Sequence, residues 1–224
     1  MKKIILAVTL LISSLAYASD SLDDSLIQAP VVTLSKKDYI NQFSAIGTCL
    51  QCNLSNLDLR KTVKNIKDNY LEIHLDGSNL TLTNLSAITD VDSLVLFDTD
   101  LTAATLTKVK FKYSNMSHAN LSGADLTGAD LTGVDLSFAN LTGAKLSNTN
   151  LTGANLKNCT LTFANLSNSD LSQTDFTGAV LTNATLKYAK MDNTIFTGAN
   201  INGADFSNAK NMNKTIGYTA PATK

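Results

Sequence analysis

From Leu96 to Phe206 the chain places an apolar side chain at every fifth residue without a miss. These 23 positions, here termed centres, comprise 16 Leu, four Phe, two Met and Ile201. A helix wants an apolar residue at a period of about 3.6 and a strand at a period of 2, so neither accommodates five. A fixed short period held this long belongs to a stacked architecture, in which each unit buries its face only against the next.

The slots around the centre are equally regular. Two residues before it stands a small side chain in 22 of 23 units, Leu94 being the exception. One residue before it stands Asp or Asn in 14 of 23, and Ser or Thr dominates just after. Two after, Gly appears eight times, using eight of the chain's 11 glycines. The large centre and the small residue two before it point inward together, so that facing walls interlock at native density. The other three slots face water. Outward Thr132 is therefore expected to accept Ala within about 0.5 kcal/mol, while inward Leu136 is expected to lose about 2–5 kcal/mol. Gly in the last slot suits a corner that needs φ > 0. Four such corners close one coil of 20 residues. Coils stacked about 4.8 Å apart make the regular array about six coils and roughly 28 Å tall.

The units Ala119-Asn120-Leu121, Ala124-Asp125-Leu126, Ala129-Asp130-Leu131 and Ala154-Asn155-Leu156 carry an A(D/N)LXX pattern that resembles the pentapeptide-repeat family. The resemblance covers about half the chain strictly and about three quarters loosely. It implies an all-β fold, the right-handed quadrilateral parallel β-helix of that family. The family is diverse in role, so the resemblance says much about fold and little about function.

Both ends depart from the pattern. Residues 1–18, MKKIILAVTLLISSLAYA, have a basic start at Lys2 and Lys3, an apolar run from Ile4 to Ile12 and a small-x-small site at Ala16-Tyr17-Ala18. This is the pattern of a secretory signal peptide. It predicts a mature chain starting near Ser19, in the periplasm or the medium. No later run approaches transmembrane length. Residues 19–46 are read as a polar segment followed by a capping helix over about 36–46. There Tyr39, Ile40, Phe43 and Ile46 fall at helical spacing, and Ser35 with Asp38 forms a capping box. Such a helix would cover the first coil, whose bare end exposes apolar core and unpaired edge. Residues 211–224 are read as a C-terminal cap or tail, with Ile216 and Tyr218 as candidate covers.

Between helix and array, 47–93 reads as irregular first coils of the same β-helix. Leu54 and Leu59 are in step with each other, as are Leu75, Leu80 and Leu85, but the gaps of 16 and 11 residues around the second group break the phase. One-residue bulges or short loops within 60–74 and 86–93 would restore it. A separate small domain over 47–93 is the alternative.

Residues capable of chemistry are scarce. There are two His, His74 and His118, one Glu, Glu72, and no Trp. No nucleophile-elbow, P-loop or zinc-protease motif occurs, so no catalytic residue, cofactor or metal is assigned. Cys49-Leu50-Gln51-Cys52 has redox spacing, but it joins a helix to a β-helix and not a βαβ unit. Both a structural disulfide, favoured by export, and two reduced packing cysteines satisfy the pattern. Cys159 occupies a small inward slot and reads as a buried thiol. Tyr113, Phe138, Phe163 and Tyr188 recur every 25 residues, so they spiral round the shaft and read as a trace of duplication.

Some pentapeptide-repeat relatives imitate DNA with an acidic face and bind DNA gyrase. Here 94–210 holds nine acids against eight bases. In the column Asn115, Asp135, Asn155 and Asp175 carboxylates alternate with amides, so neighbouring like charges are kept apart. Removing residues 1–18 leaves a net charge of −3, too weak to imply a nucleic-acid partner.

One stretch stands out. Residues 108–118, KVKFKYSNMSH, contain no Gly and set Lys108, Lys110 and Lys112 in outward slots with Tyr113 beside them. Stacking offers them Gly128, Asp130 and Thr132, so at most one lysine gains a carboxylate. Unpaired basic charge beside an aromatic suits an anionic partner, either an envelope component or an acidic protein loop. The chain is accordingly read as an exported, non-enzymatic scaffold or binding surface, monomeric or dimerised end to end. The alternatives are a gyrase-directed DNA mimic and an enzyme with a site in the irregular 60–93 region, where Glu72, His74 and Asp76 are the ionisable groups that a cleft would bring together.

Overall fold

A computed structural model of the chain describes residues 35–46, 48–67, 73–89 and 94–218. Residues 1–34, which hold the expected signal peptide and most of the polar segment, lie outside the described residues, as does Glu72. Among the described residues regular secondary structure is sparse: α1 (Lys36–Ile46), α2 (Arg60–Lys67), β1 (Ile73–His74), β2 (Leu94–Val95) and a 3-10 turn at Met212–Lys214. The other described residues are built mainly from single parallel bridges and turns.

Those bridges set the register. Over the array they join residue i to i + 20, as in Asn120↔Asn140 and Asp135↔Asn155. One coil is therefore four units long. Parallel pairing runs unbroken from Thr48 through His74 and Val95 to Ile195 and Ile216. Residues 48–89 and the regular array thus share a single ladder of about eight coils.

The unit Ala139-Asn140-Leu141-Thr142-Gly143 explains the five-residue grammar, because each of its five backbone N–H groups has a partner. Ala139 N–H donates to the Leu136 carbonyl at 3.0 Å and closes the preceding corner. Asn140 N–H reaches back one coil to Ala119 O at 2.9 Å. Leu141 and Gly143 reach forward to Thr160 O at 2.7 Å and Thr162 O at 2.9 Å. The fifth, on Thr142, donates to Oδ1 of Asn140 at 3.1 Å, and the Thr142 hydroxyl donates to the same oxygen at 2.6 Å. Asp and Asn precede the centre because this N–H has no backbone partner; the hydroxyl after the centre seals the arrangement, an Asx turn.

Corner residues lie in the left-handed region, for instance Gly143 at φ 65°. Where Gly is absent, Asn often takes the position, as at Asn148 and Asn158; its short polar side chain tolerates that conformation. Inside, the centres from Leu96 to Phe196 are fully or nearly fully buried. Hydroxyls in the small inward slot bond to carbonyls, as Thr174 does to Leu151 at 2.7 Å. Among the described residues no buried side-chain polar atom lacks a partner.

At the N-terminal end, Ser35 and Asp38 exchange bonds: Ser35 Oγ donates to Asp38 Oδ2 at 2.6 Å, and Asp38 N–H donates to Ser35 Oγ at 3.3 Å. Tyr39 and Ile40 of α1 pack against the core of the first coil. The bulge or short loop expected within 60–74 is instead a helix over 60–67. Asp58 Oδ1 accepts the Arg60 N–H at 3.1 Å, so an Asx residue starts α2 where it would otherwise turn a corner. Leu59 and Val63 stay buried, and α1 packs on α2. The excursion lengthens the first coil, where Asp58 pairs with Asn84. The second coil holds one residue more than 20, since Asn84 pairs with Thr105. At the far end Tyr218 packs edge-on against Phe206, with ring centroids 5.2 Å apart. Ile216 pairs its backbone with Ile195 but leaves its side chain more than half exposed.

Candidate binding surface

Lys108, Lys110 and Lys112 follow one another along a single coil. Lys108 holds a left-handed corner at φ 57°. Lys110 is the bridging residue opposite Asp130. Lys112 fills the slot after the buried Phe111. Its Nζ lies 3.1 Å from Asp130 Oδ2. Lys108 and Lys110 are exposed and have no carboxylate partner among the described residues. Tyr113 turns the next corner at φ 56°, with 68% of its surface exposed. Its ring lies over Gly133 of the following coil, where an added Cβ would come within 2.6 Å of Tyr113 Cδ1. The sequence therefore sets these four residues along one side of a single coil, Lys108 and Tyr113 at the two corners that bound it.

The remaining charges of the array are largely matched. Asp125 pairs with Lys145 at 3.6 Å, Asp175 with Lys157 at 3.2 Å and Asp205 with Lys187 at 3.1 Å. Lys190 bridges Asp170 and Asp192, and Lys214 also reaches Asp192 at 3.0 Å. Hydrogen bonds from Ser207, aided by Lys187, hold the Asp205 carboxyl down at about 2. At Asp130 burial pulls the pKa upward, but the Thr132 hydroxyl, Lys112 and the Thr132 amide together outweigh it and hold the carboxyl low. These are structural carboxylates, fixed as anions by turn and ladder bonds.

Cys49 and Cys52 form a disulfide with Cα atoms 5.6 Å apart, buried in the first coil. Cys159 is a buried free thiol that donates to Leu136 O, and burial pushes its pKa up to about 12. His74 Nδ1 lies 3.3 Å from Asp76 Oδ2. Among the described residues no three His, Cys, Asp or Glu side chains converge as a metal site, and no helix is long and apolar enough to cross a membrane.

The structure adds a cluster around His118 that the five-residue pattern alone does not reveal. The His118 ring stacks on Phe138 with centroids 5.0 Å apart and planes 12° apart, and Phe97 meets it edge-on at 5.4 Å. Phe138 is 55% and Phe97 44% exposed. The signal was present: 118 and 138 differ by one coil. Spacing the aromatic residues by 25 and leaving out the imidazole hid it.

Eight copies of the family described as pentapeptide repeats match residues 99–137, 139–178 and 174–210. No curated protein matches the chain in sequence. Solved structures do. HetL, a pentapeptide repeat protein involved in heterocyst differentiation regulation from the cyanobacterium Nostoc sp. strain PCC 7120, is 24% identical over 72% of this chain and 86% of its own, with a TM-score of 0.24. Trypsin-treated QnrB1, a plasmid-mediated fluoroquinolone resistance protein, is 16% identical over 72% and 89%, with a TM-score of 0.41. Rfr23 from the cyanobacterium Cyanothece 51142 is 19% identical over 81% and 99%, with a TM-score of 0.19.

Proposed function

We propose that this chain, whose residues 99–210 belong to the pentapeptide-repeat family, is an exported right-handed quadrilateral β-helix that acts without catalysis, as a scaffold and as a binding surface for a protein or an anionic envelope component. The carrying observation is the contrast in charge. Six of the nine carboxylates over 94–210 are paired with lysines. Yet Lys108 and Lys110, side by side on one coil, have no carboxylate partner among the described residues. A cationic patch on a shaft most of whose other charges are paired concentrates the field where a partner docks. Exposed Tyr113 adds apolar contact area at its edge.

The paired carboxylates do not make the continuous acidic face that a DNA mimic bound to gyrase requires. The signal-peptide pattern of residues 1–18 supports the export part of this reading. Helix α1 at one end and Tyr218 at the other cover the core, which favours a monomer over an end-to-end dimer. Cell fractionation tests the reading. The expected result is a shortened chain, starting near Ser19, that leaves the cytoplasm and sediments with the envelope. Full-length chain in the cytosol would overturn it and reopen the DNA-mimic reading.

A further inference from the structure

The four sides of the shaft are not alike. The side whose centres include Leu101, Leu121, Leu141, Leu161 and Leu181 is nearly free of charge. Its bridging column runs Asn79, Asp100, Asn120, Asn140, Thr160 and Val180. Its hydroxyl column runs Thr81, Thr102, Ser122, Thr142, Thr162 and Thr182. From Asn53 to Gly203 these rows contain no Lys, Arg or Glu, and one Asp, Asp100. The three other sides all carry lysine. Eight rows at the strand spacing make a neutral strip of roughly 34 Å.

The strip is held in place by its own bonds. Thr102 Oγ1 donates to Asp100 Oδ1 at 2.6 Å and accepts from Asn120 Nδ2 at 2.9 Å. Asn140 Nδ2 donates to Asn120 Oδ1 at 3.2 Å. These bonds leave one lone pair on the Thr102 hydroxyl and a second amide hydrogen on Asn120 and on Asn140 to face solvent. The surface is a repeating row of fixed donors and acceptors. Exposed rings and apolar side chains stand at intervals along both long edges, among small and polar residues such as Asp98, Asn158 and Asn183. Phe97, His118 and Phe138 run along one; Leu82, at 56% exposure, and Phe163, at 64%, stand on the other.

We propose that this side binds a neutral polysaccharide chain laid along the shaft. A charged polymer needs counter-charges that the strip lacks. A polymer of uncharged hydroxyl-bearing rings needs repeated groups able both to donate and to accept, which hydroxyls and amides are. The C–H faces of its sugar rings need exposed aromatic rings, whose negative quadrupole attracts them; the exposed parts of Phe138 and Phe163 supply these. Bonding within the strip before the ligand arrives reduces the ordering cost of binding. The proposal goes beyond the basic patch and does not depend on it, because Lys110 and Lys112 lie two units away along the coil, on the opposite side.

The test is co-sedimentation of the full chain with microcrystalline cellulose, an uncharged polysaccharide, at low and high salt. Wild type is expected to be retained at both, since no ion pairs are involved. Thr142→Lys with Thr162→Lys puts charge on the strip at a slot that already accepts Lys157 and Lys187, so the fold should survive. His118→Ala with Phe138→Ala removes the aromatic edge. Each pair should cut retention about tenfold or more while the chain stays folded, the strip pair with the modest fall in melting temperature that loss of the Thr142 hydroxyl bond to Asn140 brings; Lys108, Lys110 and Lys112 changed together to Gln should leave retention intact. Three outcomes would overturn the proposal: no retention of wild type, equal retention of the strip variants, or retention that salt abolishes. A dimer of wild type that the strip lysines dissociate would also overturn it, by assigning the side to a second copy of the chain.

Discussion

The Asn150 amide nitrogen lies 3.4 Å from Oδ1 of Asp130, and Asn150 stands between that carboxylate and Asp170 on the next coil. Asn150 has two jobs. Its Oδ1 accepts the Thr152 N–H at 3.1 Å and hydroxyl at 2.7 Å, which holds its own corner. Its amide separates two like charges. Asn150→Asp should therefore keep the corner but stack three carboxylates, costing about 0.2–1 kcal/mol at low salt and less at high salt. Asn150→Ala should cost about 1 kcal/mol at either salt, because it loses the corner bonds instead. Denaturant melts of the two variants at two ionic strengths separate the roles.

Leu136 and Thr132 test the inward and outward assignment. Leu136 is fully buried, so Leu136→Ala should cost about 2–5 kcal/mol. Leu136→Asp should cost considerably more, through an unpaired buried carboxylate. Thr132 corrects the expectation of near-neutral outward slots. Its hydroxyl donates to Asp130 at 2.6 Å and accepts from Asn150 at 3.0 Å. Thr132→Ala should cost about 0.5–1.5 kcal/mol. Equal losses at the two positions in equilibrium unfolding would contradict the assignment.

Much of the fold could be read from periodicity alone. A centre such as Leu121 announces itself because a five-residue period leaves one way to bury it. Two features were hidden for identifiable reasons. The Asx turn, as in Asn140 to Thr142, was masked by a second plausible use of the same amides, the bond to the coil above. Helix α2 was legible in Leu59, Val63 and Ile66, which fall at helical spacing, but it was masked by the five-residue phase on either side and by Asp58, which starts it with the bond that elsewhere turns a corner. Of the binding surface, the lysines showed as a break in the repeat. The His118–Phe138 stack became visible only once the coil length was applied to the corners as well as to the faces.

The Tyr113 ring over Gly133 gives a paired test of the corners. Gly143 has φ 65° and open space where a Cβ would go, so Gly143→Ala should cost only the left-handed penalty of about 1–2 kcal/mol. Gly133→Ala adds a collision with Tyr113 and should cost more. In a Tyr113→Ala background that excess should vanish. A double-mutant cycle by thermal melting reads the coupling, and no coupling would place the ring elsewhere.

Acid stability follows from the lowered carboxylates. Asp205 is held at about 2, below its ordinary 3.8, first by Ser207 and then by Lys187. Asp125, Asp170 and Asp175 are also lowered, since their Thr or Ser and Lys partners outweigh burial. A depressed folded-state pKa contributes stability that is fully present above the unfolded value and lost as pH falls through the folded one. Melting temperature should hold level down to about pH 4–5 and decline towards pH 2. A rise on acidification would contradict these ion pairs.

The measurement that bears most directly on the functional account is envelope retention of a variant with Lys108, Lys110 and Lys112 all changed to Gln. Lys108 and Lys110 have no carboxylate partner among the described residues, and the Lys112 pair with Asp130 is partly exposed, so its loss should cost about 1 kcal/mol or less. The fold and melting temperature should therefore survive. At low salt, retention of the variant should fall below that of wild type, and its dependence on salt should flatten. Retention equal to wild type at low salt, with the fold intact, would contradict the claim that this patch is where the shaft meets its partner.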